Sequence, residues 1–141
     1  MAQHIKTKRL FQDPRVTMKA SEDPSMIIAE WKDECKNLLR GQSLSSLDKV
    51  NQVLEEHAPE KVLIDFSECG YSFDPENQEW KHNLLFTKIN YDQASRMAFV
   101  VPGNLFVYPS FEATRATLEN EISNIQYFKD KDKALAWLME K

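Results

Sequence analysis

A carboxylate inside an apolar run is the first residue in this chain that could do chemistry. Asp65 sits in Val62-Leu63-Ile64-Asp65-Phe66, where an unpaired charge would be costly to bury. Two readings stand. Asp65 accepts hydrogen bonds near a strand end and organises the loop Ser67–Asp74, or it projects toward a ligand at the strand ends. Ser67, Cys69 and Ser72 bring hydroxyls and a thiol to that loop. A nucleophilic Ser or Cys needs a base within hydrogen-bond reach. The chain has no Gly-x-Ser-x-Gly, and its three histidines, His4, His57 and His82, are scattered. Cys69 is either a mildly reactive thiol near a helix start or a bystander. Glu76 and Glu79 lie one helical turn apart, but acids in a first turn complement the helix dipole, and Asp130 and Asp132 read the same way. No group has metal-ligand spacing, and three glycines leave no phosphate-cradling loop. The pattern predicts a non-enzymatic protein with no cofactor and no metal.

The element that positions these residues is Lys61–Trp80, KVLIDFSECGYSFDPENQEW. Its apolar run is short, β-rich and preceded by Pro59, so it reads as a buried strand. Asp74 is a good N-cap, because its carboxylate can accept from the orphan N–H groups of a first turn. Pro75 suits the first helical position. A strand feeding a helix through a loop is half of a βαβ unit, which implies a parallel sheet. In such sheets, ligands and partners meet the loops at the carboxyl ends of the strands. Tyr71, Phe73, Phe106 and Tyr108 place aromatic material beside those ends, as ligand contacts or as core filling.

Composition bounds the rest. The 141 residues suit one domain. Apolar residues at 42% and charged residues at 28% are ordinary globular values. A net charge of −4 argues against a general nucleic-acid binder. The first twenty residues nevertheless carry Lys6, Lys8, Arg9, Arg15 and Lys19 against Asp13 alone, as a solvated extension or, less favoured, a basic arm touching RNA or anionic lipid. Cys35 and Cys69 fit no metal spacing. No run approaches the roughly 18–20 apolar residues of a membrane span, and Met1–Ala20 lacks a signal-peptide centre. A cytoplasmic protein with free thiols is expected.

Along the chain, residues 1–14 read as an N-terminal extension or an edge strand near Ile5–Phe11, with the domain proper over 15–141. Val16–Ala20 and Met26–Trp31, joined by a short turn, must pair antiparallel. Trp31 shares a face with Ala29 and Ile27. Lys32–Gly41 is ambiguous, closed by Gly41. A helix capped by Ser43 or Ser45 follows, with Leu44, Leu47, Val50, Val53, Leu54 and a partly buried His57 near one face; Pro59 stops it. After the Lys61–Phe66 strand and its helix, Met97–Val101 is a continuous apolar strand expected in mid-sheet. Phe111, Leu118 and Ile122 mark the inner side of a third helix. Ile125–Phe128 is the last strand, and Asp130 caps a terminal helix that packs Ala134, Leu135, Trp137 and Leu138 inward. The order ββαβαβαβα predicts an α/β domain with a mixed four- to five-stranded sheet, its antiparallel N-terminal strands followed by βαβα units. The strands at Lys61–Phe66 and Arg96–Val101 should be adjacent and parallel.

In this order the residues resemble the SpoIIAA-like branch of the STAS domains (sulfate-transporter and anti-sigma-factor antagonist), grouped with Sec14-like folds. The pieces are the strand ending at Trp31, the acidic-ended VLIDF, the helix opening PENQEW, the strand RMAFVVPGNLF, and the ending YFKDKDKALAWL. The resemblance covers about residues 15–140, and the ending is its most specific part. It implies protein–protein regulation or small-ligand sensing rather than catalysis. Phosphorylated members carry Asp-Ser-Ser/Thr-Gly after the acidic strand. Here Asp74 matches the aspartate, but Pro75 stands where the switch serine would be. No hydroxyl can gain charge there, and neither Ser67 nor Ser72 has the matching position. The expectation is a protein-interaction module, binding a partner or a second copy of itself. The alternative is a binder of a small, partly apolar ligand at the strand-end loops.

Overall fold

Runs rich in Val, Ile and Met, separated by Pro and polar turns, become the strands of one sheet. The computed structural model describes residues 6–14, 16–22, 25–32, 41–67, 95–101, 112–113, 115–116, 119–120 and 124–140, with the side chains of 41–47 excepted. In chain order these form β1 (Thr7–Gln12), β2 (Val16–Ser21), β3 (Met26–Trp31), α1 (Gly41–His57), β4 (Lys61–Asp65), β5 (Arg96–Val100), β6 (Ile125–Phe128) and α2 (Lys131–Leu138). Residues 112–113, 115–116 and 119–120 are helical as well. The sheet is six-stranded in the order β1-β2-β3-β4-β5-β6. The first two pairings are antiparallel and the remaining three parallel. Both strand-pairing expectations therefore hold, and the fold is α/β with a mixed sheet.

The expected four to five strands become six because residues 7–12 pair with β2 rather than fraying. A β-bulge makes this pairing worthwhile. Arg9 pairs with Lys19 and Phe11 with Met18, which leaves Leu10 as the extra residue. The insertion lets Leu10 and Phe11 both pack against the apolar core, while Arg9 and Gln12 stay together on the opposite face.

Strand alternation divides the core in two. Val16, Met18, Ile27, Ala29, Trp31, Val62, Ile64, Phe66, Met97, Phe99 and Tyr127 form one face, closed by Val50, Val53 and Leu54 of α1. Met26, Ile28, Leu63, Ala98 and Val100 form the other, closed by Ala134, Leu135 and Leu138 of α2. Val62, Leu63 and Ile64 are each 0% exposed, because β4 is covered on both sides, as continuous apolar strands require.

The helix ends follow local chemistry, with corrections. Gly41 opens α1 instead of closing the segment before it, so the helix starts ahead of Ser43 and Ser45. Ala58 then takes a left-handed φ of 43°, the conformation in which helices commonly end, with its N–H still donating to the Leu54 carbonyl at 2.9 Å. His57 is exposed rather than partly buried; its Nδ1 lies 3.0 Å from the Val53 carbonyl oxygen, one turn back on the solvent side. Asp130 caps α2 as expected, accepting from the Asp132 N–H at 2.9 Å. At the far end Arg96 donates to the Trp137 carbonyl at 2.5 Å. Trp137 is only partly buried, because its ring lies at the rim between Phe128 and the Arg96 guanidinium. Glu119 accepts the Tyr127 N–H at 2.7 Å, so a carboxylate occupies a donor on β6, an edge of the sheet.

Candidate functional site

Glu30 and Asp65 are the residues that interrupt the apolar sequences of β3 and β4. The parallel register sets them directly side by side on the α2 face, near the strands' carboxyl ends. Like charges in neighbouring strand positions repel, and a cation from a third element resolves the conflict. Lys131, the first residue of α2, puts its Nζ 2.8 Å from Glu30 Oε2 and 3.9 Å from Asp65 Oδ2. Lys19 of β2 reaches Glu30 Oε1 at 2.8 Å. The result is a chain of alternating charge, Lys19–Glu30–Lys131–Asp65, that ties three strands to the start of α2.

The two acids differ in exposure and in duty. Asp65 is 8% exposed, and its Oδ1 accepts the Ser67 N–H at 2.9 Å. That bond ties the carboxylate to the backbone just past the end of β4; the rest of Ser67–Asp74 lies outside the described residues. Burial pushes the Glu30 carboxyl up, but hydrogen bonds and charge from Lys131 and Lys19 together outweigh it, holding the group below its usual value. Glu30 is thus an ionised structural acceptor.

Behind this cluster, on the α1 face, an aromatic row crosses the parallel strands. Trp31 and Phe66 lie 6.0 Å apart, Phe66 and Phe99 6.3 Å, and Phe99 and Tyr127 5.0 Å between ring centroids. Such ring pairs add packing energy beyond their buried area, just below the carboxyl ends of the strands. Trp31 is fully buried, and its indole Nε1–H has no hydrogen-bond partner among the described residues.

Of the residues singled out in the sequence, Asp65 and Ser67 are brought together at the end of β4, with Ser67 exposed. Cys69, Tyr71, Ser72, Phe73, Phe106, Tyr108 and the Asp74 cap lie outside the described residues. Sequence reasoning missed Glu30, Lys19 and Lys131. Glu30 carried a usable signal: it breaks MIIAEW just before its aromatic end, as Asp65 breaks VLIDF. Among the described residues no three His, Cys, Asp or Glu side chains group as a metal site would need, and no helix is long and apolar enough to cross a membrane. No known family profile, characterised protein or solved structure matches the chain.

Proposed function

We propose that the protein is a non-enzymatic, cytoplasmic interaction module of SpoIIAA-like, STAS-like organisation. It binds a protein partner, or a second copy of itself, through the loops at the carboxyl ends of β4 and β5. The observation that carries this reading is the use made of Asp65. Its carboxylate is committed to the Ser67 N–H and to Lys131, which holds a loop for recognition rather than leaving an acid to transfer protons. The order of antiparallel entry strands, parallel strands and terminal helix supports the same organisation. With Pro75 in place of a switch serine, partner affinity is constitutive and indifferent to kinase or phosphatase treatment.

Light scattering on the eluting protein and a pull-down from cell extract test it together. Self-association or a retained partner, weakened by Asp65→Ala, is expected; a strict monomer that retains no protein would sink the idea. The second reading, a small and partly apolar ligand, draws on the unpartnered Trp31 N–H beside the aromatic row. Native mass spectrometry of freshly purified protein separates the two, since a copurifying ligand adds mass to the single chain.

A further inference from the structure

The face of the sheet that carries α2 also bears a cleft farther out, over the antiparallel strands. Its volume is about 410 Å3, and it is lined by Thr7, Arg9, Gln12, Thr17, Lys19, Glu30 and Lys32. That volume lies within the roughly 300–1,000 Å3 of small-molecule sites. Among the described residues the lining is polar and sets Arg9, Lys19 and Lys32 against one carboxylate, Glu30, in a chain whose net charge is −4. That carboxylate is shared by two cations, Lys19 and Lys131 each standing 2.8 Å from one of its oxygens, while Lys131 also lies 3.9 Å from Asp65.

Two features make this more than a scatter of surface lysines. The bulge at Leu10 keeps Arg9 and Gln12 on this face together, and Arg9 Nη1 donates to Gln12 Oε1, which holds the guanidinium along the cleft wall. Thr17 lies between Gln12 and Glu30 in the register. It is only 6% exposed, and its hydroxyl has no hydrogen-bond partner among the described residues. A buried hydroxyl is ordinarily satisfied, and rotation between staggered χ1 wells can present this one to a guest.

We infer that this cleft binds a small-molecule oxyanion carrying two or more negative charges, a phosphate ester or a polycarboxylate. Arg9 supplies the planar fork that matches such groups. Lys19 and Lys32 supply compact charge, and the Thr17 hydroxyl donates at the floor. The cleft is distinct from the strand-end loops assigned above to a partner, and its ligand is measured on the isolated protein, so either reading can fail without the other.

The test is calorimetric titration of the full chain with pyrophosphate and with citrate at low ionic strength. Saturable one-site binding of at least one probe is expected, weakening as salt is added. Arg9→Gln should weaken it about tenfold, the usual loss of a charge-assisted bidentate contact. Lys8→Gln, which removes the same charge from the same strand outside the cleft, should change it less than about twofold. Thr17→Val should weaken binding without lowering the melting temperature, since it removes a buried hydroxyl that has no partner among the described residues. Vesicles bearing anionic phospholipid form the last arm. Failure of both probes to bind, equal effects of Arg9→Gln and Lys8→Gln, or binding to vesicles alone would each overturn the inference.

Discussion

Lys131 decides whether Glu30 and Asp65 can lie side by side. Replacing it by Met leaves Glu30 with Lys19 and strips Asp65 of its nearest cation. We expect a loss of about 1–2 kcal/mol at pH 7, partial solvent exposure keeping it below the cost of breaking a fully buried pair. The pH dependence carries a sign. The Glu30 carboxyl is lowered from a usual value near 4.5, so its stabilisation is complete above that pH and is lost as pH falls through the lower folded value. The difference between wild type and Lys131→Met in urea melts should therefore shrink as pH falls below the usual value near 4.5 and through the lowered folded value. An unchanged difference would place the effect of Lys131 in packing, not charge. Asp65 makes a separate prediction, because its bond to Ser67 needs an acceptor and not a charge. Asp65→Asn can still accept that N–H, whereas Asp65→Ala orphans it at about 1–3 kcal/mol. Asn should be the milder variant in the same melts.

At the scale of elements, α1 and α2 are held by different means. α1 ends where Pro59 forbids continuation, and Ala58 bears a left-handed φ of 43° that a Cβ makes unfavourable. Ala58→Gly should raise stability by about 0.5–1 kcal/mol; a fall in the melting temperature would show that the Ala58 methyl is needed. α2 is pinned at both ends, by Asp130 and Lys131 at its start and by Arg96 at its close. Trp137 adds a rim contact, 5.8 Å from Phe128 and 5.3 Å from the Arg96 guanidinium. Trp137→Ala should cost about 1.5–3 kcal/mol, short of the 3–5 of a fully buried tryptophan. Denaturant midpoints distinguish the two ranges.

Over the whole molecule, stability should grade across the sheet. β3, β4 and β5 have neighbours on both sides and apolar cover on both faces, so their amides open only with global unfolding. β1 pairs on one side alone among the described residues, and most of it is exposed. Hydrogen exchange should therefore be slowest in β3–β5 and faster by orders of magnitude in β1. Equal protection in β1 and β4 would mean that something further covers that edge.

Much of this architecture is local in origin and was legible in the residues. The runs MIIAEW, KVLID and RMAFV are apolar, β-rich and bounded by breakers, so their position and their burial follow from composition. Alternation alone places Ile27, Ala29 and Trp31 on one face, and Asp130 caps α2 through a bond to a residue two places on. The antiparallel and parallel pairings follow from connection length. What tertiary structure decided is which charged residues meet. Glu30 and Lys131 are 101 positions apart, and a lysine at a helix start has no local feature that names its partner. Their meeting depends on the register between β3 and β4 and on where α2 lands. The first strand was legible only as one of two alternatives, an edge strand near Ile5–Phe11 or an extension, because TKRLFQ has too few apolar residues to decide between them. Pairing with β2, and a single bulged residue at Leu10, make it a strand and gather the cations of the cleft on one face.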